Sequence, residues 1–217
     1  TFDQMDSIVE NEDYLPLVQR ILAGGGLSVP QKHEVNKMGT NKKRVVYSYK
    51  DDEMTMLKVV AYLLYKYDNC FASNCYAFRC GIRVSDAVRR VYRSVRKRKM
   101  WAYKLDIHNY FNSISIPILM PKLRQILADD EPLYRFFERI LTDNRSEYNG
   151  SIIVEQRGVM AGIPVASFLA NVYLADMDHY FANQGVVYAR YSDDIIIFAE
   201  DYDTLQGHRA YILDVLR

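Results

Sequence analysis

Tyr191-Ser192-Asp193-Asp194 lies between two strongly apolar stretches, Val186-Val187-Tyr188 and Ile195-Ile196-Ile197-Phe198. Two adjacent carboxylates at the tip of an otherwise buried hairpin repel each other and resist desolvation unless a cation neutralises them. Hard divalent cations such as Mg2+ take carboxylate oxygens. Taken alone, an Asp-Asp pair is most simply a solvated turn. A third carboxylate changes the weighing: Asp106 stands near the end of another apolar stretch, Lys104-Leu105-Asp106-Ile107, with Tyr110 and Phe111 soon after it. A strand-end Asp joined to a hairpin Asp-Asp can hold two metal ions about 3.5–4 Å apart, which activate an attacking hydroxyl and stabilise a leaving oxygen on phosphorus. Nucleotidyl transfer needs that arrangement, because its catalysis is mostly positioning and charge neutralisation. Asp106, Asp193 and Asp194 are therefore expected to converge on one face of a sheet.

The elements that must position them can be read from periodicity and turn chemistry. Trp101 to Ile107 alternates as a strand, and Val186–Tyr191 and Ile195–Ala199 are two apolar strands separated by Ser192-Asp193-Asp194. Pro164 can open a long apolar helix to about Ala182, and Pro117 one to about Leu127. A second helix covers about Leu133 to Leu141, and Asp203 can cap a last one. Asn149-Gly150 is the strongest short hairpin signal, placing a hairpin at 145–158. Upstream, Tyr14, Leu15, Leu17, Val18, Ile21 and Leu22 recur at helical spacing until Gly24-Gly25-Gly26. Residues 27–42 read as loop and a first strand, with a turn at Gly39-Thr40-Asn41 before the alternating Val45–Tyr49. Asp51 or Asp52 can cap a helix through Leu64, and Ser85-Asp86 starts another over 86–98.

Composition bounds the class. With 217 residues, 49% hydrophobic, 13% aromatic and a net charge of +1, the chain is far from the disordered signature and long enough for a sizeable core. Its ten glycines exclude collagen. The longest apolar run, Val59 to Tyr65, falls far short of the ~20 residues a membrane span needs, and nothing suggests a secretory leader. No membrane association and a cytoplasmic location are expected. Three cysteines, Cys70, Cys75 and Cys80, are an odd count at a spacing that fits neither zinc pairs nor one helix face, so buried or half-buried free thiols in a reducing compartment are expected. The near-zero charge hides an asymmetry: residues 1–104 carry 19 basic and 11 acidic side chains, residues 105–217 carry 9 and 16. Seven of the basic ones, Arg89, Arg90, Arg93, Arg96, Lys97, Arg98 and Lys99, fall on or just after the 86–98 helix. A basic half joined to an acidic half is a warning of polyanion binding. The chain opens on Thr1 and ends at Arg217 inside a helical pattern, which suggests a portion of a longer protein.

Tyr-Ser-Asp-Asp between hydrophobic strands resembles the YxDD box of reverse transcriptases, and Lys104-Leu105-Asp106-Ile107-His108-Asn109-Tyr110-Phe111 resembles their first catalytic-Asp motif. Gly158-Val159-Met160-Ala161-Gly162-Ile163-Pro164-Val165-Ala166-Ser167-Phe168-Leu169-Ala170-Asn171-Val172-Tyr173-Leu174 is similar to the template and nucleotide motif of the bacterial members. Lys42-Lys43-Arg44 and Tyr76-Ala77-Phe78-Arg79-Cys80-Gly81-Ile82-Arg83-Val84-Ser85-Asp86-Ala87 resemble fingers segments of the group II intron, retron and related bacterial class. Order and spacing agree from about residue 40 to 200. The pattern departs at Ala161, at Ala166-Ser167 and at Ser192, and these departures point toward divergent defence-associated relatives while leaving all three carboxylates in place.

The resemblance implies an α+β fold, the fingers (1–100) and palm (101–217) of a right-hand polymerase. The palm would be a small antiparallel sheet with packed helices, and the thumb would be absent. It implies RNA-directed DNA synthesis with dNTPs, an RNA template, a DNA or RNA primer, and two Mg2+ ions, with Mn2+ as a substitute. Asp106, Asp193 and Asp194 are then catalytic, and the metal set is Asp106, Ile107, Asp193 and Asp194. Phe111, five positions after Asp106, would be the ring that excludes a ribose 2'-OH. Its alternative is a core Phe. Lys43 and Arg44 would hold the triphosphate, and Gly162 and Pro164 would belong to the substrate-binding loop. Arg79 divides evenly between template or triphosphate contact and an ordinary salt bridge. The basic helix would line a backbone groove. His108 is read as packing rather than as a ligand, since hard cations prefer oxygen. Two alternatives stand beside this reading: a defence-type polymerase that is protein-primed or untemplated, and an RNA-binding maturase with secondary polymerase activity.

Overall fold

The computed structural model describes residues 6–7, 10–12, 14–23, 25–36, 39 and 42–217. Gly24, Thr40 and Asn41, on which part of the expected helix stop and turn falls, lie outside the described residues. The chain divides into two compact units that interleave in sequence: 1–64 with 111–169, and 65–110 with 170–217.

The first unit begins with α1 (Leu15–Leu22), whose Pro16 stands in the first turn where its missing N–H costs nothing. Strands β1 (Gln31–Asn36) and β2 (Lys43–Ser48) pair antiparallel, Gln31 opposite Ser48. Helix α2 (Asp51–Leu63) follows, its first turn carrying Asp51, Asp52 and Glu53, which favour the positive helix start. The buried Glu53 accepts from Arg20 and from the Ser28 main chain and hydroxyl. The helices are numbered in chain order, and α3 (Val84–Val95) belongs to the second unit; the short α4 (Tyr110–Ser113) straddles the division between the units, as does α7 (Ala166–Asn183). Helices α5 (Ile116–Ile126) and α6 (Glu131–Thr142) pack on each other and bury Leu119, Leu123, Phe136, Phe137 and Ile140. The expected hairpin is β4 (Arg145–Tyr148) and β5 (Ser151–Val154), with Asn149 and Gly150 both at positive φ, the requirement of a type I′ turn. This hairpin joins β1 and β2 in one sheet of order β2-β1-β4-β5, through a parallel contact of Gln31 with Glu147.

The second unit starts in a 3-10 segment at Leu64–Cys70 and contains α3 (Val84–Val95), β3 (Trp101–Asp106), α7 (Ala166–Asn183), β6 (Tyr188–Tyr191), β7 (Asp194–Ala199) and α8 (Tyr202–Val215). Its antiparallel sheet has the order β3-β7-β6. Leu105, Ile195 and Ile197 point to the same side of that sheet, and α8 packs against β3 and β7 there, with Trp101 edge-on to Tyr202 and Arg209 over the Tyr103 ring. Helix α7 is apolar nearly all round, as a helix buried on most faces must be.

Most expected elements are present. Helix α3 ends at Val95, short of residue 98; beyond its end Arg98 is ion-paired with Glu200. Helix α7 starts at Ala166, two residues after Pro164, which itself lies in the turn that follows Met160 and Gly162. The cysteines are free. Cys75 is buried and Cys70 half-buried, whereas Cys80 is exposed. Among the described residues no helix is long and apolar enough to cross a membrane.

Candidate active site

In the second unit, β3 and β7 pair so that Asp106 lies directly opposite Asp194. Directly opposed residues of an antiparallel pair share a face. Alternation puts Lys104, Asp106, Asp194 and Ile196 on one side of the sheet, and Leu105 and Ile195 on the buried side. Asp194 is thus the first residue of a strand and not part of the turn. The turn itself is only Ser192-Asp193, closed by the Tyr191–Asp194 pair. Asp193 enters through its main chain: the Ile107 N–H donates to the Asp193 carbonyl at 3.1 Å, extending the β3–β7 ladder by one step. On the open face the Lys104 ammonium is 3.0 Å from the Asp194 carboxylate, both side chains being more than half exposed.

Ser192 has φ +62°, a conformation that costs a non-glycine residue about 1–2 kcal/mol. It is held from beneath. Arg190 and Asp178 are fully buried and form a fork: Nε of Arg190 donates to both Asp178 oxygens at 3.0 and 3.1 Å, and Nη2 to Oδ2 at 2.5 Å. Nη1 donates to Asn171 Oδ1 and to the Ser192 carbonyl, each at 3.1 Å, and Nη2 also reaches Cys75 Sγ. Tyr188 Oη donates to Asp178 at 2.8 Å, and Asn74 Nδ2 to the Asp178 carbonyl. Burial works against the Arg190 charge, but the Asp178 carboxylate outweighs it and the guanidinium stays firmly protonated. Burial pushes the Cys75 thiol up to about 12, so it is no thiolate near neutral pH.

The first unit holds the 158–165 loop by main-chain contact. A Cβ on Gly158 would lie 2.3 Å from the Phe111 carbonyl, and one on Gly162 2.7 Å from the Tyr47 carbonyl. Val159 N–H donates to the Phe111 carbonyl, and Tyr47 N–H to the Ala161 carbonyl. Asn112 ties the pieces: its Nδ2 donates to the Val45 carbonyl at 3.0 Å, and its Oδ1 accepts from Ala161 N–H at 2.9 Å. Phe111 is half-buried in α4, and Pro164 half-buried two residues before α7. Lys43 and Arg44 are exposed on β2, and Lys43 is ion-paired with Glu34 at 2.7 Å. The hydrogen bond from Lys43, with a second from Tyr148, holds the Glu34 carboxyl below its usual range.

Arg79 belongs to the second unit and is committed inside it. Its Nε and Nη2 bind the Asp68 carboxylate, and the remaining donors reach the carbonyls of Ala72, Cys75 and Asp68. The salt bridge is the arrangement present. Helix α3 buries none of its side chains; Val84, Val88 and Tyr92 form an exposed stripe at spacing four beside Arg89 and Arg93. Sequence reasoning did not single out Asn112, Gly158, Asp178 or Arg190. The one available signal was an arginine inside an otherwise apolar strand.

The donor chemistry at the sheet end suits a hard cation: carboxylates and main-chain carbonyls, with no thiolate or imidazole in the set. The structure brings Asp106 and Asp194 to one open face and Asp193 to the adjoining turn. Among the described residues, no three His, Cys, Asp or Glu side chains are gathered as a ready metal cage. Ile107 can contribute only its carbonyl.

The model of the family "Reverse transcriptase (RNA-dependent DNA polymerase)" matches residues 31–217, and the chain belongs to that family. Among solved structures it is similar to apo telomerase from Candida tropicalis truncated from its C-terminal domain (TM-score 0.66, 12% identity, 85% of this chain and 46% of that one). It is also similar to telomerase from Candida albicans in complex with a fragment of telomeric RNA (0.55, 13%, 83% and 40%). A third likeness is to a chain of a partial Cas6-RT-Cas1–Cas2 complex (0.51, 22%, 94% and 36%). These likenesses are of fold: mixed α+β with antiparallel sheets and packed helices, as in reverse transcriptase fingers and palm. The chain spans less than half the length of each of these three. No curated protein matches it.

Proposed function

We propose that this chain carries the fingers (about 1–100) and palm (about 101–217) of an RNA-directed DNA polymerase that adds dNTPs to a primer 3'-OH along an RNA template. Family membership supports the class, and one observation carries the site: the β3–β7 register that sets Asp106 directly opposite Asp194 beside a tight turn bearing Asp193. Asp106, Asp193 and Asp194, with the Ile107 carbonyl, would hold Mg2+ or Mn2+, which when bound neutralises phosphate charge and activates the attacking hydroxyl. The chain's own residues do the rest. Lys43 and Arg44 offer exposed cations to the triphosphate. The Phe111 ring is assigned the role of excluding a ribose 2'-OH, and the 158–165 loop with Gly162 and Pro164 that of supporting nucleotide and template. Helix α3, all its basic side chains exposed or half-exposed, follows the nucleic-acid backbone. Arg79 is left out of this set because Asp68 and three carbonyls already use its donors. The motif pattern favours the bacterial class of group II intron, retron and defence enzymes.

The test is incorporation of dTTP on poly-rA/oligo-dT by the full chain with Mg2+ or Mn2+, wild type against Asp106→Asn. Loss of the several kcal/mol of transition-state charge stabilisation that a metal supplies should lower turnover about 10³-fold. Incorporation by the wild type that Asp106→Asn leaves intact would remove Asp106 from catalysis. Incorporation that needs no template would move the reading to an untemplated polymerase.

A further inference from the structure

We infer that Arg190 is a positioning residue for the carboxylate turn: neutralised by Asp178, it clamps the Ser192 carbonyl and so sets the directions in which Asp193 and Asp194 leave the backbone. This rests on the polymerase reading of those carboxylates.

Three observations converge. The two peptide groups flanking Asp193 are both fixed through their carbonyls: Ser192 C=O by Arg190 Nη1, and Asp193 C=O by Ile107 N–H. With both planes held, the Cβ directions of Asp193 and Asp194 are no longer free. Next, Ser192 sits at positive φ in the first central position of a two-residue hairpin loop, where glycine is the comfortable choice. A strained non-glycine residue persists where its surroundings over-determine it, and the Arg190 hydrogen bond is the over-determining contact. Finally, Arg190 and Asp178 are both fully buried. A buried ion pair gains little stability over apolar residues of the same volume, so its presence is weak evidence of a stabilising role. Arg190 sits opposite Ile195, on the sheet face away from Asp106 and Asp194. It therefore acts through the turn and not on a substrate. The same Nη1 also donates to Asn171, one of the residues of the 158–174 motif, which ties α7 to the turn.

The experiment compares the full chain carrying Arg190→Met with Asp178→Leu, Tyr188→Phe alone, and Arg190→Lys. Readouts are the thermal midpoint, hydrogen exchange at the Asp193 and Asp194 amides, Mn2+ affinity from the free-ion EPR signal, and kcat with KM for dTTP. The Met/Leu pair leaves no buried charge unpaired, so its midpoint should stay within a few degrees of wild type. Exchange at the turn should rise at least tenfold, the Mn2+ dissociation constant should rise about tenfold, and kcat should fall with KM little changed. Adding Ser192→Gly should recover several-fold of the lost Mn2+ affinity, because glycine holds the turn without the clamp. Tyr188→Phe loosens the same network on the side away from the turn; it should lower the midpoint and leave Mn2+ affinity within twofold. If the Met/Leu variant fails to fold, Arg190→Lys carries the test, since it keeps a cation against Asp178 and loses the fork. Wild-type exchange and Mn2+ affinity in a folded Arg190 variant would overturn the inference. So would equal Mn2+ loss in Tyr188→Phe, which would mark a general stability effect. A wild-type chain that neither binds Mn2+ nor incorporates dTTP defeats the polymerase reading instead, and amide exchange still judges the clamp.

Discussion

In the unit built on β3, β7 and β6, the Ser192-Asp193 turn rests on a buried charge: one guanidinium, neutralised by one carboxylate, reaches up to the carbonyl of a strained serine. In the other unit, the Gly158 and Gly162 positions of the 158–165 loop are held without an ion pair. The loop is set there by backbone against backbone, with two glycines whose missing Cβ atoms let the Phe111 and Tyr47 carbonyls approach, and with one asparagine side chain bridging β2 to the loop. The two devices fail differently. A charge clamp can be replaced as a pair with little loss of stability, but is costly to break singly. A steric clamp has no compensating partner, because the space needed is occupied by main chain.

Breaking the charge clamp singly should give the largest effect. Asp178→Leu leaves Arg190 buried and unpaired, and should cost about 3–5 kcal/mol in urea unfolding. The same substitution together with Arg190→Met should recover most of it; no recovery would mean that the pair is the stability device after all. The steric clamp comes next. Gly158→Ala should cost at least about 2 kcal/mol, from positive φ plus contact with a backbone carbonyl that cannot move away. Gly150→Ala meets nothing within 4 Å and should cost only the φ term of about 1–2 kcal/mol. Equal losses at the two sites would show that the close approach at Gly158 is relaxed in solution.

Phe111 sharpens the contrast in function. Phe111→Val in the full chain should raise rNTP use relative to dNTP by about 10–100-fold, the range that one hydrophobic contact can discriminate. Unchanged sugar discrimination in an active variant would leave the ring as core. The smallest effect belongs to α3, which belongs to the same unit as the charge clamp yet has no fully buried side chain. Neutralising Arg93, Arg96 and Lys97 together should flatten the slope of log affinity against log salt by up to about three units on an RNA–DNA duplex, and weaken unrelated sequences equally. An unchanged slope would make α3 a solvated face.

The sequence disclosed the periodic elements well, because apolar alternation and turn residues act locally. Asn149-Gly150 named its hairpin, and the stretches around Asp106 and Asp193 named their strands. It could not disclose register: that Asp194 starts a strand opposite Asp106 depends on pairing across the sheet. It could not place β4 beside β1, whose contact joins Gln31 to Glu147. For Arg79 the sequence left substrate contact and a salt bridge evenly balanced; its partner Asp68, eleven residues earlier in the 3-10 segment, is identified only by the fold. Arg190 was hidden for the opposite reason. Its partner Asp178 lies on a helix that reads as continuous core, and no local rule pairs a strand arginine with a helix aspartate.

Antiparallel pairing of β3 with β7 also has a consequence for the order of events on the ribosome. Strand β3 is complete at Asp106, yet its ladder partner begins only at Asp194. At roughly 5–20 residues per second, the nascent chain carries β3 for several seconds with no strand to bind. The β6–β7 hairpin, by contrast, can close as soon as it emerges. Asp106 is therefore brought opposite Asp194 late, by a long-range closure onto a preformed hairpin. In the interval, an unpaired edge rich in Trp101, Tyr103 and Leu105 is open to other nascent chains, so yield of soluble protein should depend on synthesis rate and temperature more than on final stability.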